Sequence, residues 1–140
     1  MLNEIIFLVN ACCSLFMTGL IWYVQLVHYP SFKFVSTSIF GDFHNFHSLR
    51  TGFIVMPVMC TELITSGILT WQTSFISLQA IGFYLVLLIW LSTFTLSVPT
   101  HAKLSNGKDD KLIRHLVLTN WPRTVLWTVK SALAISLILG

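Results

Sequence analysis

Four long apolar runs constrain this 140-residue chain more than anything else in it. They are Ile5 to Val27, Phe53 to Trp71 with Glu62 inside it, Leu78 to Val98, and Trp121 to Leu139 with Arg123 and Lys130 inside it. An α-helix needs about 20 such residues to cross the hydrocarbon core of a bilayer. The composition agrees, because only 9% of the residues are charged and 55% are hydrophobic, whereas an ordinary soluble domain carries about 25% charged residues. The strands of a membrane barrel would alternate apolar and polar over roughly 10 residues, and these runs do not. The expected fold is therefore all-α: an integral membrane four-helix bundle, one domain over residues 1–140, with helices at about 5–28, 52–72, 78–98 and 121–139.

The charges give the bundle a direction. All eight Lys and Arg residues fall in the first or third connector or in the half-helix nearest them. Lys33 and Arg50 flank the first connector, Lys103, Lys108, Lys111 and Arg114 lie in the third, and Arg123 and Lys130 lie in the near half of helix four. The second connector, roughly QTSFIS, has none, and neither terminus has any. The positive-inside rule then puts connectors one and three in the cytoplasm and both termini outside, as in a bacterial inner membrane. The net charge of +3 marks the face that meets anionic lipid and requires no nucleic-acid partner. The first run is too long for the apolar core of a signal peptide and is led by Glu4 rather than by Lys or Arg, so it is expected to stay as a membrane helix. Cys12, Cys13 and Cys60 sit within apolar runs at spacings that fit neither a zinc motif nor a disulfide framework.

Proline punctuates the basic side. His28-Tyr29-Pro30 is expected to end helix one, and Val98-Pro99 to end helix three with His101 just beyond. HYP at 28–30 and PTH at 99–101 form a faint internal echo. Within the first connector, residues 31–50, Ile39, Phe43 and Phe46 share one helical face, which predicts a short amphipathic helix lying in the interface. Phe40, His44 and His47 share the neighbouring face. The third connector turns at Ser105-Asn106-Gly107 and reads as helical from about Asp109. Asn120-Trp121-Pro122 reads as the start of helix four, with the asparagine as N-cap and the tryptophan at the interface.

Ionisable groups inside a membrane are costly, so each is a functional candidate. Glu62 lies about 18 Å along helix two from Arg50, and Lys130 about 13 Å along helix four from Trp121, at 1.5 Å per residue. These depths suit a pair within the bundle, structural or titrating, although Lys130 can also snorkel. Polar stripes recur at helical spacing: Asn10, Ser14, Thr18, Gln25 and His28; Met59, Glu62 and Ser66; Trp90, Thr93, Ser97 and His101; Arg123, Trp127 and Lys130. If the stripes face one another, the bundle has a polar interior that widens toward the basic side; small hydroxyls on such faces also serve plain interhelical packing.

All five histidines are on that basic side. Neutral imidazole is the commonest metal ligand, and His44-x-x-His47 on a helix can chelate from one face. His28 and His101, at the ends of helices one and three, would complete three or four ligands. Glu62 would serve as an oxygen ligand or base if the site reaches it. Such a set suits iron, zinc or copper; alternatively His28 and His101 supply the axial ligands of a haem. The pair lacks the i, i+4 spacing and the glutamate of HExxH, and interfacial histidines also contact lipid headgroups and cap helix carbonyls. His115, beside Lys111 and Arg114, reads as a surface residue. Arg50 and Arg123, with Trp121 and Tyr29, suit a clamp on an anionic or amphipathic substrate from the inner leaflet, and equally suit interface anchoring.

The strings WYVQLVHYPSF, FHxFHxxR, MPxMxxEL, VPTHxxL and NWPRTxxW together resemble a family of small bacterial four-helix membrane proteins. The likeness covers nearly the whole chain and implies the fold but no activity. In size and layout the chain is also similar to the small four-helix, haem-binding protoporphyrinogen oxidases. That likeness is architectural: those enzymes place a haem histidine early in the first helix, where this chain has only Asn10. It carries no residue over; the expected function rests on the His-rich pocket on the cytoplasmic side, read as that of a metal- or haem-dependent oxidoreductase acting on a lipophilic small molecule. One alternative is a metal-free, proton-coupled carrier using Glu62 and Lys130. Another is a non-catalytic or pigment-binding subunit, alone as a homo-oligomer or within a larger membrane complex.

Overall fold

The computed structural model describes residues 1–140 and contains helices and no strand. Four helices are each long and apolar enough to cross a membrane: α1 (Leu2–Phe34), α2 (Phe40–Gln72), α3 (Leu78–Leu104) and α4 (Asp110–Leu139). Each packs on its neighbours in the cyclic order α1, α2, α3, α4, which is the up-down-up-down arrangement that short connectors dictate. The bundle is polar inside and apolar outside. Half of its 35 buried residues are polar, while Leu8, Phe16, Ile54, Ile64, Leu88, Leu91 and Val125 point outward. That inversion is what a lipid-facing surface allows.

The helices are longer than the sequence suggested, and apart from the first turn of α1 the extra length is on the basic side. At 1.5 Å per residue they span roughly 40–50 Å, against about 30 Å of hydrocarbon. Neither Pro30 nor Pro99 ends its helix. A proline ring collides with the carbonyl four residues earlier in a regular α-helix. Here a π turn over Val24–His28 precedes Pro30, and a second over Thr93–Ser97 precedes Pro99. The wider turn moves those carbonyls aside, and α1 and α3 run on. The HYP/PTH echo therefore corresponds to the same backbone device in both odd-numbered helices.

The connector helices are corrected likewise. The segment around Ile39 to Arg50 is not a separate interfacial helix but the first turns of α2. Its buried face holds Phe40, His44 and His47, whereas Ile39 and Phe46 are exposed. Helix four starts at Asp109, whose carboxylate accepts from the N–H groups of Lys111 (2.8 Å) and Leu112 (3.1 Å). Asn120, expected as its cap, is instead fully buried in mid-helix. The second connector is as short as expected: Ser77 caps α3 by accepting from Ala80 N–H.

Candidate functional site

The four polar stripes do face one another, and they form two clusters that meet at Trp127. The first lies in the half of the bundle near the termini. Glu62 Oε1 meets Lys130 Nζ at 3.0 Å and accepts from Ser14 Oγ at 2.7 Å, while Oε2 accepts from Trp127 Nε1 at 3.0 Å. Lys130 also donates to Asn10 Oδ1 and Ser14 Oγ. The Asn10 amide donates across to Glu62 O, Thr65 Oγ1 and Ser66 Oγ. Every charge here has a counter-charge and further hydrogen bonds, which is the condition under which a buried ion pair is tolerated.

The second cluster is built by the helix extensions. The π turn of α1 sets His28 and Tyr29 inward, the first turns of α2 present His44 and His47, and the π turn of α3 presents His101. His28 Nε2 lies 2.7 Å from His47 Nδ1, and His44 Nε2 lies 2.9 Å from His101 Nδ1. The hydroxyl of Tyr29 is 3.0 Å from His101 Nε2, and Thr51 Oγ1 is 3.0 Å from His47 Nδ1. Phe32, wholly buried, packs edge-on against His28, His44 and His47 and holds their rings in place. Each short nitrogen–nitrogen contact holds one proton between two rings, so one ring of each pair offers a lone pair. Tyr29, His101 and His44 form a chain along which a proton can shift by exchange of tautomers. It ends at His44 Nδ1, a buried nitrogen with no partner.

No three His, Cys, Asp or Glu side chains in this arrangement point at one common centre as metal ligands do. The imidazoles stand in two hydrogen-bonded pairs. Two nitrogens on one tetrahedral metal are about 3.3 Å apart, given metal–nitrogen bonds of about 2.0–2.1 Å, so each pair is within roughly half an ångström of that spacing. Imidazole nitrogens are donors a metal can use; the present ring orientations serve hydrogen bonding. A haem does not fit between His28 and His101. His47 lies against both rings, at centroid separations of 4.3 and 5.9 Å, leaving no slot for a macrocycle.

Beside the histidines is a cavity of about 240 Å³. Met17, Ile21, Val55 and Met59 line its apolar part, and Tyr29, His47, His101, Ser97 and Arg123 its polar end. Met56 and Val98, on its rim, are exposed, so the cavity opens sideways between α2 and α3.

Two expected site residues are not at this site. Glu62 is 15 residues along α2 from His47, about 22 Å at the helical rise, and is engaged with Lys130; it is neither a ligand nor a base for the histidines. Arg50 is exposed, with its guanidinium 5.3 Å from the Phe46 ring, and does not line the cavity. His28, His44, His47, His101 and Arg123 are brought together as expected, and His115 is exposed. Sequence reasoning missed Phe32 and the bond of Tyr29 to His101, because aromatic residues near a helix end read as interface anchors; it placed Trp127 on the polar stripe but not its bond to Glu62. Compared with protein-family profiles, with curated proteins and with solved structures, the chain finds no match.

Proposed function

We propose that this protein is a multi-pass enzyme of the bacterial inner membrane, termini outside, acting as an oxidoreductase on a lipophilic small molecule from the inner leaflet. A transition metal would be held by imidazoles of His28, His44, His47 and His101. Zinc has no redox chemistry, so this reading needs iron or copper. The observation that supports it is the gathering of four imidazoles from three helices in two hydrogen-bonded pairs, with one ring of each pair, His47 and His101, lining the polar end of a side-opening apolar cavity. An ion entering would take the lone pairs now used between rings and release protons. The protein's own groups then have separate tasks: the apolar wall holds the body of the substrate, Arg123 its polar end, and Tyr29 the outer nitrogen of His101. The wall also keeps bulk water from the reacting end.

The test is to purify the untagged protein in mild detergent from metal-replete cells and to record its visible spectrum and its metal content by mass spectrometry. Near-stoichiometric iron or copper, lost in His44→Ala/His47→Ala, is the expected result. A colourless, metal-free protein overturns the redox reading.

A further inference from the structure

One charge in the bundle has nothing to answer it. Arg123 is 6% exposed, yet the chain's only ion pairs are Met1 with Glu4 and Glu62 with Lys130. Its hydrogen bonds both come from Nη1, to Ser97 Oγ (3.1 Å) and Asn120 Oδ1 (3.2 Å). Nε is buried with no partner. The guanidinium lies 5.3 Å from the Trp127 ring, a contact far weaker than a counter-ion. Asn120 is fixed in turn by donating to Gln25 Oε1 at 2.9 Å, so the arginine is held from behind and fronts the cavity. An isolated buried cation in lipid is among the least favourable arrangements a membrane protein can keep.

We infer that the cavity takes a lipophile with an anionic oxygen head, a carboxylate of a single chain or ring, and that Arg123 is its counter-ion. This rests on the reading of the cavity as the substrate site. The guanidinium fork matches a carboxylate, and no acidic side chain lines the cavity to compete. A head seated there lies beside Tyr29 and His101, and the apolar body occupies the part lined by Met17, Ile21, Val55 and Met59 and reaches lipid past Met56 and Val98. A two-chain phospholipid offers the same kind of charge through its phosphate, with its tails left in the bilayer past Met56 and Val98, and the test below separates the two.

The test is binding of radiolabelled decanoate and of decanol, its uncharged analogue, to the full chain in phosphatidylcholine nanodiscs after chelation of metals. Decanoate is expected to bind at one site, at least tenfold more tightly than decanol, as charge-assisted hydrogen bonds require. Arg123→Gln should remove that preference and leave decanol unchanged, while Met56→Trp at the rim should weaken both. Equal affinity for the two probes in the unaltered protein overturns the inference, even if Arg123→Gln fails to fold. Full decanoate preference in a folded Arg123→Gln variant does so too. A stoichiometric phospholipid that copurifies and is lost in Arg123→Gln overturns the carboxylate in favour of a resident phosphate. No metal enters the assay, so failure here leaves metal content untouched, and a metal-free protein leaves anion binding standing.

Discussion

The Glu62 cluster and the Arg123 cluster bury charge in one apolar bundle and treat it in opposite ways. Around Glu62 and Lys130 the charges cancel, and Asn10, Ser14 and Trp127 engage the oxygens and the ammonium. Around Arg123 and the histidines, no carboxylate is present and two buried nitrogens, Arg123 Nε and His44 Nδ1, have no partner. A closed network has no free valence for a ligand and lowers its energy by staying shut. An open one is costly until something arrives. The first therefore holds the bundle together, and the second is where binding is expected, although the sequence offered Glu62 and Arg123 as equal candidates.

The largest test of this contrast is Lys130→Ala. It strands Glu62, 1% exposed, in the bundle, and removing one partner of a buried pair costs about 3–5 kcal/mol. Detergent unfolding followed by circular dichroism should show that loss. The double variant Glu62→Leu/Lys130→Met should recover most of it, because it removes both charges. A folded Lys130→Ala variant of unchanged stability would mean that the network is open to water and able to titrate, which is what the carrier alternative needs.

The next effect is at the histidines. His44→Ala/His47→Ala removes both ring pairs and the bond of Thr51 to His47, three hydrogen bonds at about 1 kcal/mol net each. The unfolding midpoint should fall less than in Lys130→Ala, while any bound metal should fall to zero. Phe32→Ala sharpens the point. It leaves every ligand in place but removes the ring packed on three of them, at about 3–5 kcal/mol for a buried phenylalanine. A variant that still folds should keep all four histidines and any metal they bind, with altered spectral lines.

What could be read from the sequence follows the same physics. The polar stripes were legible because lipid tolerates polar groups only where another helix answers them, and Asn10, Ser14, Glu62, Ser66, Arg123 and Lys130 recur at the helical period. Helix depth alone brought Glu62 and Lys130 level. The helix ends on the basic side were not legible. Pro30 and Pro99 stop a helix only if its turns remain regular, and no local signal announces the π turns over Val24–His28 and Thr93–Ser97. Mistaking those ends shortened α1 and α3, cut α2 and α4 at their starts, and put His44 and His47 at an interface rather than inside. Arg50 misled for a related reason: near the expected end of a helix, a surface arginine over Phe46 and a clamp look alike.

The smallest change in stability carries the sharpest sign. Arg123→Gln removes two hydrogen bonds and the contact with Trp127, which together oppose unfolding. It also removes an uncompensated buried cation, which opposes folding. These terms nearly cancel, so without ligand the variant should unfold within about 1 kcal/mol of the parent. Arg50→Ala, on the surface, should leave the midpoint unchanged and serve as the reference. With decanoate present, the parent should gain clearly more stability than Arg123→Gln, by mass action on the folded state. If Arg123→Gln instead collapses as Lys130→Ala does, the arginine belongs to the structural class, and the contrast between the two clusters fails. A near-neutral variant that has lost most of its ligand-dependent stabilisation separates the two: one cluster keeps its charges for the fold, the other keeps Arg123 for what binds.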